Sequence, residues 1–70
     1  MSTAPSLTPK ELTKILLQRG FVLVRIHGSH HYFINPETNK ITVIPMHCKD
    51  IPKGTLHAIL RQAGIDKDEI

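Results

Sequence analysis

The sequence predicts an α+β domain ordered α-β-β-β-α, a two-layer sandwich of a three-stranded antiparallel sheet with both helices on one face. Three observations predict it. Two stretches carry apolar residues at helical spacing, and each is closed by a glycine, Gly20 or Gly64. Between them lie three runs, residues 21–26, 29–34 and 41–45, rich in β-branched and aromatic residues and too short for further helices. A glycine turn at Gly28-Ser29 and a loop of turn formers from Asn35 to Lys40 join these runs as a meander.

Taken in order, residues 1–7 read as a mobile leader. In Thr8-Pro9-Lys10-Glu11, a cap threonine precedes a proline at the first helical position and a glutamate at the third, so cap and glutamate satisfy backbone donors reciprocally. Leu12, Ile15, Leu16 and Arg19 follow at helical spacing up to Gly20. In the first strand, strict alternation puts Phe21 and Leu23 on one face and Val22, Val24 and Ile26 on the other. Asp50-Ile51-Pro52-Lys53 opens the second helix, with Asp50 or Ile51 near the cap and Pro52 in the first turn. Leu56, Ile59, Leu60 and Ala63 form its buried stripe. Residues 8–65 make one domain, followed by an acidic tail over 66–70.

Seventy residues cannot enclose a large cavity, so chemistry belongs on the surface and favours a polymeric substrate or a protein partner. The formal charge of +3 understates the basic bias, because Asp66, Asp68 and Glu69 sit together at the end. Up to Gly64 there are eight lysines and arginines against three acids, an excess that suits a polyanion or an acidic partner. Cys48 is the only cysteine, which excludes an intrachain disulfide and fits a reducing compartment. No apolar run approaches the roughly 18 residues of a membrane span, and residues 1–6 lack the pattern of a signal peptide. A cytoplasmic location is expected, with no membrane partner.

The stretch Gly28-Ser29-His30-His31-Tyr32-Phe33 stands out. A tight turn delivers two adjacent histidines onto a strand, where alternation sends them to opposite faces: His30 with Tyr32 and Ile34, His31 with Phe33. His31 therefore packs while His30 is presented. His27, His30, His31, His47 and Cys48 are numerous enough for zinc, but alternation parts the adjacent histidines, so no metal site and no cofactor are expected. His57, inside the second helix, is expected to face solvent.

Gly20-Phe21, Arg25, Gly28-Ser29-His30-His31 and Phe33, then Val43, Pro45 and His47, and finally Gly54-Thr55-Leu56 with the run from Ile59 to Ile65, together resemble the HicA toxins of toxin–antitoxin pairs. The likeness spans about residues 8–65. It implies a fold similar to a double-stranded-RNA-binding domain, a metal-independent ribonuclease that cuts messenger RNA and arrests translation, and a HicB-type antitoxin covering the active face. It also implies that the catalytic histidine is the one after Gly-Ser, here His30. The chain departs from the family pattern in the extra His27 and in an inverted Pro52-Lys53.

RNA carries its own nucleophile in the 2′-hydroxyl, and an imidazole, with an ordinary pKa of about 6.5, serves as base or acid near neutrality. His30 is the candidate general base, or the acid if the substrate lies the other way. In a meander the end of the third strand lies near the start of the second, so His47 is the candidate for a second proton-transfer or phosphate-contacting group, against a plain loop residue. Lys49, Lys53 and the amides around Gly54 form a candidate phosphate seat at a helix N-terminus, against an ordinary solvated helix start. Arg25, Gly28 and Ser29 complete the candidate RNA contacts. Two other classes of function share these features: a non-catalytic RNA-binding module on the same basic surface, and a protein-binding domain that docks through the open sheet face.

Overall fold

The structure is a computed structural model that describes residues 7–69. The elements are α1 (Pro9–Gln18), β1 (Val22–His27), β2 (His30–Asn35), β3 (Lys40–Pro45), α2 (Lys53–Ala63) and a closing 3-10 turn, Lys67–Glu69. This is the α-β-β-β-α order read from the sequence. The leader expected over residues 1–7 lies outside the described residues except for Leu7. That side chain is buried in the core, and its carbonyl accepts from the Ile51 N–H at 2.9 Å. Leu7 and the buried Leu12 hold the two positions of a hydrophobic staple flanking the cap of α1.

α1 starts and ends as its residues dictate. The Thr8 hydroxyl accepts from the Glu11 N–H at 3.1 Å, and the Glu11 carboxylate accepts from the Thr8 N–H at 2.9 Å. Gly20 adopts φ 92, and the N–H groups of Gly20 and Phe21 close on the carbonyls of Leu17 and Leu16 at 3.2 and 3.0 Å. α2 ends in the same motif, with Gly64 at φ 72 and Ile65 donating to Leu60 at 2.9 Å. Its start differs from expectation. Pro52, at φ −56 and ψ 146, is itself the cap and sits outside the first turn, and no side chain caps the helix. Its extended ψ keeps it out of the helix, while its carbonyl receives the first helical bond, from Leu56 at 2.8 Å.

The strands run β1-β2-β3, all antiparallel. β2 and β3 pair without interruption from His30↔Pro45 to Asn35↔Lys40. β1 pairs Leu23 with Phe33 and then Arg25 with Tyr32, leaving Val24 as the extra residue of a bulge. Strict alternation along β1 is therefore corrected: beyond the bulge Ile26, opposite His31, joins the face of Leu23, and Arg25 and His27 turn to the other.

One sheet face holds the core. Phe33, Thr42 and Ile44 are buried there among Leu12 and Leu16 of α1 and Leu56, Ile59 and Leu60 of α2, so both helices lie on this face. The Thr42 hydroxyl is satisfied by Gln62 at 2.9 Å. Both helices pack over β3, and β1 overhangs, with all six of its residues exposed. Asn35, also buried, donates to the carbonyl of Arg19 at 3.2 Å and accepts from the N–H of Glu37 at 2.9 Å, tying the end of α1 to the β2–β3 loop. In the acidic C-terminal segment, the carboxylate of Glu69 meets Arg19 at 3.3 Å.

Burial makes the two strand apolar residues Phe33 and Leu23 unequal. Phe33→Ala is expected to cost about 3–5 kcal/mol of unfolding free energy in a urea titration, and Leu23→Ala, 44% exposed on the overhanging strand, under about 1 kcal/mol.

Candidate active site

The turn between β1 and β2 is a two-residue hairpin, His27 and His30 pairing across Gly28-Ser29. Gly28 holds φ 61 at the first loop position, the conformation that a two-residue turn of this kind requires and that side chains disfavour. The N–H of Met46 donates to the carbonyl of Ser29 at 2.7 Å, which carries the β2–β3 ladder one step past His30↔Pro45. The loop that follows β3 is thereby held against the turn.

That clamp assembles a cluster. The rings of His30 and His47 meet edge to face with centroids 6.0 Å apart. The hydroxyl of Ser29 lies 3.2 Å from Nδ1 of His47, and the thiol of Cys48 lies 3.8 Å from its Nε2. The approach of His47 to His30, read from the meander, is present. Ser29 and Cys48 as direct partners of His47 are findings of the structure; the Ser29 contact follows from the Met46–Ser29 bond, which the sequence does not display.

The cluster opens onto the uncovered sheet face. By register this face carries Val22, Arg25 and His27 of β1, His30, Tyr32 and Ile34 of β2, and Ile41, Val43 and Pro45 of β3, with no carboxylate among them. The bulge at Val24 is what places Arg25 and His27 here, with His27 directly across from His30. His31 faces the core side opposite Ile44 and is half-buried, as expected.

Lys49 lies in the loop beyond Cys48, and Lys53 and Gly54 form the first turn of α2, all exposed. Among the described residues the one ion pair is Arg19–Glu69, so Arg25, Lys49 and Lys53 have no carboxylate partner there. The uncapped start of α2 leaves its first amides open to an anion. Nothing lies within 4 Å of a Cβ placed on Gly54. Among the described residues no group of three or more His, Cys, Asp or Glu side chains is arranged to hold a metal ion, and no helix is long and apolar enough to cross a membrane. His57 is corrected from solvent-facing: its Nε2 is buried without a partner, beside a groove of about 290 Å³ formed with Leu60, Arg61, Ile65 and Asp66. None of these groove residues belongs to the histidine cluster.

The sequence profile described as the HicA toxin of bacterial toxin–antitoxin systems matches residues 9–65, most of the chain. The chain belongs to the HicA toxin family. It is thus a toxin of a toxin–antitoxin system, and membership implies a cognate antitoxin as partner. No curated protein matches the chain. The matched span contains the whole cluster: Ser29 and His30 at the turn, His47 and Cys48 in the loop, and the open start of α2.

The turn conformation carries the cluster. Gly28→Ala meets no steric neighbour, so its cost is the left-handed backbone alone, about 1–2 kcal/mol in thermal or urea unfolding.

Proposed function

We propose that this HicA-family toxin is a metal-independent endoribonuclease that cuts messenger RNA on its open sheet face and is neutralised by a HicB-type antitoxin seated on that face. The observation that carries this reading is the pair of imidazoles, His30 and His47, 6.0 Å apart at the rim of a surface free of carboxylates.

The chemistry uses the substrate's own nucleophile. His30, as base, takes the proton of a 2′-hydroxyl; the 2′-oxygen bonds to the adjacent phosphorus as the bond to the 5′-oxygen breaks, and an acid protonates that leaving oxygen. The products are a 2′,3′-cyclic phosphate and a 5′-hydroxyl. His47 is the second imidazole of the site and the candidate for proton transfer or phosphate contact. Arg25 on the same face, with Lys49, Lys53 and the amides around Gly54 at the start of α2, takes the flanking phosphates, and Gly28-Ser29 lets the backbone approach closely. An acidic antitoxin surface would occupy the same cations, and the exposed apolar side chains of that face, Val22 of β1 and Ile41 of β3, would add apolar contact.

The test is cleavage of a defined RNA by purified protein with EDTA present throughout. The wild type is expected to cut and His30→Ala to lose cleavage by at least about a hundredfold. Cleavage surviving in His30→Ala overturns the assignment, and intact RNA binding without any product favours the non-catalytic module.

Gly54→Ala separates stability from function. Gly54 lies within α2 without a positive φ and with open space around it. The change is therefore expected to raise stability by about 0.5–1 kcal/mol, while a methyl at the phosphate seat weakens RNA binding measured by fluorescence anisotropy.

A further inference from the structure

We propose that His47 acts through Ser29, setting the direction of its hydroxyl so that Ser29 becomes the hydrogen-bond donor to a phosphoryl oxygen at the cut. This rests on the ribonuclease reading and gives Ser29, already among its RNA contacts, a defined role at the cut.

Both nitrogens of His47 are engaged within the chain. Nδ1 lies 3.2 Å from the hydroxyl of Ser29, and Nε2 makes the longer contact, 3.8 Å, to the thiol of Cys48. Ser29, by contrast, sits immediately before His30 in the turn, half-buried, with its backbone pinned by the 2.7 Å bond from Met46. A serine hydroxyl has one hydrogen and two lone pairs. When Nδ1 carries a hydrogen it donates to Ser29 Oγ, and the hydroxyl hydrogen is released to point into the site. When Nδ1 is bare, the same hydrogen is held by the ring and no donor is offered.

Negative charge grows on the non-bridging phosphoryl oxygens as the 2′-oxygen attacks, and a donor fixed in advance beside the base stabilises that charge most. No proton leaves Ser29 or His47 in this role. Ser29 touches the substrate, and His47 is a positioning residue. The titratable groups that face the His47 ring are His30 from β2 and Cys48 from its own loop.

The experiment compares wild type, Ser29→Ala, His47→Ala, His47→Asn and the double variant Ser29→Ala/His47→Ala on one RNA, reading kcat and KM across pH. Ser29→Ala and His47→Ala are each expected to lower kcat by about ten- to a hundredfold, the worth of one hydrogen bond to a charged group, with KM little changed. The double variant is expected to be no worse than either single one. Asparagine puts an amide N–H where Nδ1–H stands, so His47→Asn is expected to keep most of the rate.

His47→Asn as poor as His47→Ala, with Ser29→Ala near wild type, overturns the inference and makes His47 a direct proton donor. Additive losses in the double variant also overturn it. A wild type that leaves RNA uncut while binding it overturns the ribonuclease reading itself, an outcome distinct from any pattern among the variants.

Discussion

The hydrogen bond from the N–H of Met46 to the carbonyl of Ser29, 2.7 Å long, is the constraint on which the arrangement of this protein depends. It extends the β2–β3 ladder beyond its last strand pair and fastens a turn to a loop that share no sequence proximity. Everything near the chemistry follows from it. The next residue on one side is His30, and on the other His47. Because Gly28 permits a turn of only two residues, neither segment has slack to move apart. A chain of seventy residues thus obtains a defined pair of imidazoles from register alone.

The same economy governs the two layers. Both helices lie over β3, so the core is concentrated between Phe33, Ile44 and the stripes of α1 and α2. β1 is left to overhang with apolar residues exposed, and no described element covers the reverse face of the sheet. An edge of this kind invites pairing with another chain. The bulge at Val24 roughens it and at the same time turns Arg25 and His27 onto the histidine face. Two demands, guarding an edge and aiming a cation, are met by one inserted residue.

Where the sequence is legible, a short-range rule governs it. The capping box at Thr8 and Glu11, the glycine exits at Gly20 and Gly64, and the meander all follow from neighbours within a few positions. The start of α2 is not legible in the sequence, because Pro52 fits either side of a helix boundary and ψ, which proline does not fix, decides. Val24 is β-branched like Val22 and Ile26 and carries no mark of a bulge, so alternation alone does not give Arg25 its face. His30 stands out through its Gly-Ser turn and through family resemblance. The contact between Ser29 and His47 depends on the ladder bond at Met46, a long-range pairing that no local pattern encodes.

In the proposed ribonuclease, the two imidazoles on a sheet face free of carboxylates serve an RNA whose own 2′-oxygen performs the attack, the protein moving protons and holding phosphates. The most direct measurement places a single 2′-deoxynucleotide at the cleaved position of an otherwise ribose substrate. The account predicts that this RNA binds with unchanged affinity and is not cut. Cutting at the rate of the all-ribose RNA would contradict it, since the nucleophile would then have to come from elsewhere.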